Sequence, residues 1–352
     1  MRAVLIIVIM LFSGCSAGEA DPGLEGNAPM ARELIVLAAS PDGDGYYQGM
    51  ASEIFQFHVA FARELQKHDD VLILAGDDHY DDYVGALGAA SVARIEMYDI
   101  WMRDFSPQNA AAQVMFRYTA EGQGGGQKGQ READIVQAGL SDVLKKAGLR
   151  YGETNFLNDG GNFVDDGAGN VVLSRKFLRD NALTETDGRT AIQHATGAVN
   201  VAFIEADEQG GLEHADAVVA FIDENVLVVN AYLDDPAYSA SLRSDLEYGL
   251  PGVMIHEIVA PYDATEIYDT RFGSACGLYT NMLVTPERIY LPQFGIPEDA
   301  LALASLREWT RRDVIPVMSA KVCRMGGGVR CMSWQLRGEN ALKLKAYAAS
   351  LN

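Results

Sequence analysis

The chain has 352 residues, 48% of them hydrophobic, so it can bury a large core in one big domain or two smaller ones. Its formal net charge of −21 argues against a nucleic-acid partner, because binding to phosphates requires a positive surface. An acidic surface attracts cationic small molecules or basic peptides, although it is also an ordinary means of staying soluble.

The N-terminus has the pattern of an export signal. Arg2 precedes a short apolar run that is too short to span a membrane comfortably. Small residues then lead to Cys15, as in a bacterial lipobox. We therefore predict a lipoprotein-type signal peptide at residues 1–14, lipidation of Cys15 and export to the periplasm or cell envelope, with a plain cleaved signal of a secreted protein as the alternative. Residues 15–31 are predicted to be a flexible tether.

Two strands, a helix and a further strand recur along residues 32–352, which we predict to be a single domain. Hairpins with polar turns are predicted at 160–174, 215–230 and 279–294, with a weaker copy at 103–118. Helical periodicity is found at 51–67, 131–148, 297–312 and 338–351, and short extended runs at 33–40, 71–76 and 93–98. Residues 122–132, rich in glycine, are predicted to be a surface loop. These modules predict an α/β repeat architecture rather than a doubly wound sheet.

One polar or reactive residue lies at the start of the first strand of each module. Spacings of 55, 55, 67 and 50 residues separate Asp104, Asp159, His214, Asn281 and Cys331. If the modules surround an axis, these five side chains converge on one central pocket.

Cys331 is a candidate nucleophile. Three glycines at 326–328 precede it and let the backbone approach a ligand closely. Arg330 is a neighbouring cation of the kind that lowers a thiol pKa, although strand alternation would point it away. An inert buried cysteine after a glycine loop is the alternative. Pairing of Cys276 with Cys323 in an oxidising compartment would leave Cys331 free.

His214 and Asp216 are two residues apart, so on a strand they share one face, either as a general acid/base or as a core pair. Asp104 and Trp101 stand together in "WMRDFSP", as a carboxylate under an aromatic lid or as part of a salt bridge. One thiol, one histidine and several carboxylates suit a planar guanidinium, which carboxylates bind in a bidentate manner. The chain has neither the HExxH pattern of a metal hydrolase nor a GxSxG elbow.

Five motifs resemble, in order, those of the agmatine deiminase and Porphyromonas-type peptidylarginine deiminase family. They are "WMRDFSP", "DGGNFVDDGAGNVVLS", "EHADAVVAFIDENVLVVN", "YTNMLVTPERIYLPQFG" and "MGGGVRCMSW", and the resemblance runs from about residue 30 to the end. It implies a five-bladed α/β propeller (a pentein) built of ββαβ modules. It also implies a hydrolase that converts a guanidine to a ureido group plus ammonia without metal or organic cofactor.

The resemblance also implies roles for individual residues. Cys331 matches the nucleophile, His214 the acid/base, and Asp104 and Asp216 the carboxylates that bind the guanidinium. Trp101 matches a pocket wall and Asn281 an asparagine near the nucleophile. Two further residues expected at the substrate depart from the family pattern: Asp159 replaces a glutamate and Arg330 replaces a histidine.

Substrate choice is open at this point. Peptide-directed members carry a closely spaced arginine pair after "WMRDFSP", whereas this chain has only Arg117 there, which favours agmatine, with N-carbamoylputrescine as the product. Export favours an arginine peptide and protein citrullination. The same residues would also suit a non-catalytic guanidine-binding lipoprotein or an amidino-transferring enzyme.

The expected partners are thus a small guanidine or an arginine peptide, and a membrane only through the lipid anchor. The resemblance implies a dimer or larger assembly, but the residues themselves indicate no oligomeric state.

Overall fold

The structure is a computed structural model that describes residues 32–108, 113–207 and 211–351. The predicted signal peptide, the lipidation of Cys15 and the tether lie outside these residues. Arg32–Asn352 forms one compact unit. No helix within the described ranges is long and apolar enough to cross a membrane.

Strands and helices are interspersed along the described residues. The strands are β1 (Leu34–Ala38), β2 (Asp70–Ala75), β3 (Val92–Arg94), β4 (Val114–Arg117), β5 (Gly152–Leu157), β6 (Val164–Asp165), β7 (Asn170–Ser174), β8 (Asn200–Ile204), β9 (Val219–Asp223), β10 (Val226–Asn230), β11 (Met254–Ile258), β12 (Leu283–Val284), β13 (Arg288–Gln293), β14 (Asp313–Met318) and β15 (Trp334–Leu336). The α-helices are α1 (Ala51–His68), α2 (Asp77–Leu87), α3 (Met102–Phe105), α4 (Gly126–Ala147), α5 (Lys176–Asp180), α6 (Glu185–Thr196), α7 (Pro236–Gly249), α8 (Glu298–Trp309) and α9 (Gly338–Leu351).

The strands form five sheets among the described residues, and four of the sheets contain the same unit. An antiparallel pair is followed by a parallel strand in β6-β7-β8, β9-β10-β11, β12-β13-β14 and β15-β1-β2, the last of which continues to β3. A helix lies between the antiparallel pair and the parallel strand, since a parallel connection needs a crossover. The mixed α/β class and the hairpins predicted at 160–174, 215–230 and 279–294 are therefore confirmed.

The weaker hairpin predicted at 103–118 is only partly formed. Its first half is the short helix α3, and a single antiparallel bridge from Gln108 to Val114 stands where a first strand was expected. The remaining strand β4 pairs in parallel with β5.

The prediction of a surface loop at 122–132 is wrong beyond residue 125, because α4 begins at Gly126. Gly125 before it has a φ of +77°, which glycine adopts without strain. Gly129 packs so closely that a Cβ would lie 2.7 Å from the carbonyl oxygen of Ala120. Tertiary packing of the apolar face of α4 thus overrides the weak helix propensity of its first turns.

The core lies between the sheets and the helices packed on them. On α1, the side chains of Ile54, Phe61 and Leu65 are buried at helical spacing, each contributing about 1.5–3 kcal/mol relative to an exposed position. The C-terminal strand β15 returns to pair with β1, with Leu34 opposite Leu336. This pairing joins the two ends of the domain in one sheet.

Candidate active site

The five spaced residues lie on short turns that precede the strands, not on the strands themselves. Asp104 is on α3, Asp159 and His214 each precede a single turn of 3-10 helix, and Asn281 and Cys331 precede β12 and β15. The expectation that a strand places His214 and Asp216 on one face is wrong. The tight turn Ala215–Ala217 carries Asp216 instead.

Two glycines after Asp159 allow these turns to meet. A Cβ on Gly160 would lie 1.9 Å from the carbonyl oxygen of Arg103. A Cβ on Gly161 would lie 2.4 Å from Nδ1 of His214. The "GGN" motif is therefore required because α3 and the His214 turn approach this backbone from both sides.

A cavity of about 530 Å³ lies where the turns converge. Six of the eight residues expected from the sequence at the site line it: Trp101, Asp104, His214, Asp216, Asn281 and Cys331. Its mouth is aromatic and acidic, with Tyr46, Tyr232, Tyr262, Asp207, Asp234 and Asp235 among the lining residues.

Asp159 does not line the cavity but lies behind His214. Its Oδ2 is 3.0 Å from Nε2 of His214 and accepts a hydrogen bond of 2.8 Å from the Thr119 hydroxyl, and its Oδ1 accepts one of 2.9 Å from the Thr119 N–H. Burial would raise the pKa of Asp159, but the hydrogen bond and charge of His214 together with Thr119 lower it below its usual range. Asp159 thus orients the imidazole from outside the cavity, and its expected role in substrate binding stays a prediction.

His214 is surrounded by carboxylates. Its Nδ1 lies 3.8 Å from Oδ1 of Asp104, on the other side of the ring from Asp159. Burial lowers the pKa of His214, but Asp104, Asp159 and Asp216 outweigh burial and raise it to about 10. His214 is therefore a charged proton donor at neutral pH.

Asp104 accepts a hydrogen bond of 3.0 Å from the N–H of Gly161. Burial raises its pKa to about 7, with His214 opposing the shift and the charges of Asp159 and Asp216 adding to it. A cation that enters the cavity would therefore stabilise the charged form of this carboxylate.

Arg330 is not at the cavity that holds Cys331. Its Nε donates to Oδ2 of Asp216 at 3.2 Å and its Nη2 to the carbonyl oxygen of Phe163 at 2.8 Å. It lines a second, smaller cavity of about 190 Å³ together with Arg103 and Arg337. Its guanidinium holds Asp216 from behind, and the expected contact of Arg330 with substrate stays a prediction.

Cys331 is a free, buried thiol that lies among hydrogen-bonding partners. The Nδ2 of Asn281 donates to Sγ at 3.0 Å, and Sγ lies 3.9 Å from Oδ2 of Asp216. Burial, followed by the charges of Asp216 and Asp104, raises the pKa of Cys331, while Asn281 acts in the opposite direction. Burial and the two carboxylates thus hold the sulfur as a thiol.

Sequence reasoning missed several residues that support the site. Thr119 fixes Asp159, and Asp99 accepts a hydrogen bond of 2.6 Å from the hydroxyl of Tyr47, which lines the cavity. These contacts join segments that are distant in sequence, and no motif or spacing marks them.

The arrangement can bind a flat cation and attack it. Asp104 and Asp216 offer carboxylate oxygens, Trp101 offers an aromatic wall, and Cys331 offers a sulfur nucleophile beside the proton donor His214. Within the described residues, no group of three or more His, Cys, Asp or Glu side chains has the geometry of a metal site.

Comparisons with known proteins give a consistent result. Residues 28–336 match the family model described as "Porphyromonas-type peptidyl-arginine deiminase". A protein of Selenomonas ruminantium named "Putative agmatine deiminase" is 24% identical over 361 aligned residues, covering 88% of this chain and 94% of the relative. The structure of the agmatine deiminase of C. jejuni superposes with a TM-score of 0.72 at 16% identity, covering 88% of this chain and 95% of that one. A cysteine-to-serine variant of the C. jejuni enzyme with substrate bound gives a TM-score of 0.70 at 17% identity, with 88% and 95% coverage.

Proposed function

Since the chain belongs to the Porphyromonas-type peptidyl-arginine deiminase family, we propose that it is a hydrolase that converts agmatine to N-carbamoylputrescine and ammonia. The observation that carries the proposal is the free thiol of Cys331 in one cavity with His214, Asp104 and Asp216. The relatives in sequence and in structure that are named as agmatine deiminases support the same substrate.

The guanidinium lies between Asp104 and Asp216, beside the indole of Trp101. Its positive charge neutralises the two carboxylates that raise the pKa of Cys331. The thiol pKa therefore falls when substrate binds, Cys331 releases its proton to solvent, and the thiolate forms beside the bound guanidinium. Asn281 donates to that thiolate through Nδ2.

In the first half of the reaction, Sγ of Cys331 forms a bond to the central guanidine carbon and gives a tetrahedral adduct. His214 gives its proton to one terminal nitrogen, the carbon–nitrogen bond breaks, and ammonia leaves. The product of this half is an S-alkylthiouronium on Cys331.

In the second half, neutral His214 takes a proton from water, and the resulting hydroxide attacks the thiouronium carbon. The carbon–sulfur bond breaks, the remaining hydroxyl proton passes to the departing sulfur and restores the thiol, and the ureido oxygen comes from water. Asp159 holds the imidazole in place through both proton transfers, because it bonds to Nε2 from behind.

The cavity walls favour a guanidine without a carboxylate. Among the described residues that line the cavity, none is an arginine or a lysine. Arg117 is half-exposed and paired with Asp134 at 2.8 Å. The mouth contributes Asp207, Asp234 and Asp235, whose charge attracts the distal ammonium of agmatine and repels the carboxylate of free arginine.

We also propose that the five sheets are the blades of one α/β propeller, with the site at its centre. The repeated antiparallel pair followed by a parallel strand, and the convergence of the five spaced residues, support this arrangement. A crystal structure in which the sheets did not surround one axis would overturn it.

We further propose that the chain is exported by the predicted leader and is anchored through lipidated Cys15. The Cys276–Cys323 disulfide supports export, since such bonds persist in oxidising compartments. Cell fractionation of wild type and Cys15→Ser tests both parts. The membrane fraction should contain the wild type only, and an equal cytoplasmic distribution of the two would contradict export.

The proposed reaction is tested with purified protein and a substrate panel. Agmatine, free arginine and short arginine peptides are each incubated with wild type and with Cys331→Ala, and ammonia and ureido product are measured. Turnover of agmatine well above arginine, absent from the variant, is expected. Turnover of peptides in preference to agmatine would contradict the substrate assignment.

A further inference from the structure

One wall of the cavity is made by an irregular segment. Residues 259–282, between β11 and β12, contain only turns and bends. This segment, here called the wall segment, contributes Phe272, Ser274, Ala275 and Leu278 to the cavity lining, and Asn281 lies at its end.

The wall segment faces the loop that carries the nucleophile. Residues 323–331, here called the nucleophile loop, begin with one turn of 3-10 helix at Cys323–Met325 and end at Cys331. Met325 and Gly326 of this loop line the cavity beside the wall segment.

A disulfide joins these two segments beside the cavity. Cys276 of the wall segment is bonded to Cys323 of the nucleophile loop. Two backbone hydrogen bonds flank the disulfide, from the N–H of Ala275 to the oxygen of Cys323 at 2.8 Å and from the N–H of Tyr268 to the oxygen of Arg324 at 2.9 Å.

The other contacts between the segments are few. Arg324 forms an ion pair of 3.2 Å with the exposed side chain of Glu266, the N–H of Arg330 donates to the carbonyl oxygen of Asn281 at 3.3 Å, and Asn281 donates to Cys331. The buried apolar cluster around the disulfide contains only Ala275, Leu278 and Cys323, with Ala217, Cys276 and Phe294 partly buried against it. Such a small cluster buries little apolar area, and an exposed ion pair contributes little, so the covalent bond adds a strong restraint on their spacing to that of the hydrogen bonds.

Their spacing sets the position of the attacking sulfur. Asn281 holds Sγ at 3.0 Å from one side, and a Cβ on Gly327 would lie 2.6 Å from the Trp101 ring on the other. The nucleophile loop is therefore confined between the wall segment and Trp101. A displacement of about 1 Å at a reacting group is enough to cost on the order of 100-fold in rate.

We propose that Cys276 and Cys323 are positioning residues whose disulfide completes the active site, so that the chain is fully active only when this pair is oxidised. The inference rests on the proposed deiminase function. Oxidation occurs by thiol–disulfide exchange with a disulfide-bearing oxidant, which accepts two electrons and two protons as the Cys276–Cys323 bond forms. A chain still in a reducing compartment then has a loosened wall and low activity until it is exported.

The first test uses reduction of the wild type. The full chain is treated with dithiothreitol, free thiols are counted, and kcat/KM for agmatine is measured before reduction, after reduction and after reoxidation. Reduction should lower kcat/KM roughly tenfold or more, and reoxidation should restore it. Full activity with the disulfide shown to be broken would overturn the proposal.

The second test uses Cys276→Ser, Cys323→Ser and the double variant. Because either substitution removes the bond, all three should lose the same activity and become insensitive to dithiothreitol. Thermal melts confirm that each variant is folded. Losses that add in the double variant would show two independent packing effects and contradict a role for the bond.

A measurement that does not depend on turnover separates this inference from the deiminase proposal. Hydrogen exchange at residues 259–282 and 323–331 should speed up on reduction, while α4 remains protected. If the oxidised wild type turns over no guanidine, the deiminase proposal fails. Unchanged exchange in both segments would overturn the positioning role by itself.

Discussion

The charges of the site favour a thiol at Cys331 and a protonated imidazole at His214. His214 has a pKa raised to about 10 by Asp104, Asp159 and Asp216 against the effect of burial. The pKa of Cys331 is raised by burial and by the charges of Asp216 and Asp104. A guanidinium would bring a positive charge to these carboxylates, so we expect substrate to lower the thiol pKa and favour the thiolate.

The pKa of Asp104 predicts the acid limb of activity. Burial raises this pKa to about 7, so the carboxyl gains a proton as pH falls through that value and no longer pairs with a guanidinium. We expect kcat/KM for agmatine to decline about tenfold per unit below about pH 7. A pH–rate profile checks this. A flat profile down to pH 5 would contradict the role of Asp104, and Asp134→Asn, at an exposed ion pair, is the control that should leave the profile unchanged.

The hydrogen bond from Asn281 to Cys331 predicts a second effect. Asn281→Asp keeps the shape but replaces the Nδ2 donor with a carboxylate oxygen, which destabilises the thiolate. We expect kcat to fall roughly 10- to 100-fold, and the apparent thiol pKa with a bound guanidine ligand to rise. The pH dependence of alkylation of Cys331 by iodoacetamide gives that pKa. An unchanged pKa would show that the bond does not act on the sulfur.

At this scale the sequence identified residue types better than their positions. Cys331, His214, Asp104 and Asp216 are in one cavity, as the spacing indicated. Asp159 and Arg330 do not line this cavity. They lie behind its lining residues, where Asp159 bonds to Thr119 and Arg330 bonds to the carbonyl oxygen of Phe163. Such contacts depend on tertiary packing and leave no pattern in the chain.

At the scale of elements, the site is built from turns and the four-residue helix α3 rather than from strands or long helices. The hairpins were predictable because alternating apolar runs and turn residues mark them. The start of α4 was not, since its first turn contains two glycines and its helix depends on packing. Several glycines of these turns are required for a steric reason, because a Cβ at their positions would overlap neighbouring atoms.

Gly327 gives the prediction at this scale. A Cβ at this position would lie 2.6 Å from the Trp101 ring and 3.1 Å from Sγ of Cys331. We expect Gly327→Ala to displace the nucleophile loop and lower kcat about 100-fold, with the fold retained in a thermal melt. Gly85→Ala is the matched control, since nothing lies within 4 Å of a Cβ there. Equal activity in the two variants would show that the close approach is not needed.

At the scale of the whole molecule, the pairing of β15 with β1 joins the last and the first strand of the described residues, and Cys331 lies just before β15. Trp334 of β15 is fully buried, and its Nε1 donates to the carbonyl oxygen of Pro107 at 3.0 Å. The C-terminal strand is thereby fixed to the turn after α3. The repeat pattern predicted the modules, but only the fold shows that one of them is shared between both ends of the domain.

Trp334→Ala is predicted to destabilise the whole domain. Loss of this side chain leaves a cavity in the core and removes a hydrogen bond, at a cost of about 3–5 kcal/mol in the free energy of unfolding. Chemical denaturation monitored by circular dichroism measures it. Leu301→Ala, at a side chain 61% exposed on α8, is the control and should change stability by less than about 0.5 kcal/mol. Equal stability of both variants would contradict a structural role for the pairing of β1 with β15.

The most direct test of a cysteine-dependent guanidine deiminase is to trap the covalent intermediate. The wild type is mixed with agmatine, quenched in acid during turnover, and the peptide that contains Cys331 is weighed by mass spectrometry beside the same peptide from Cys331→Ala. The mechanism predicts an added mass equal to agmatine less one ammonia on Cys331, and neither adduct nor ammonia release in the variant. Undiminished release of ammonia by Cys331→Ala would contradict it.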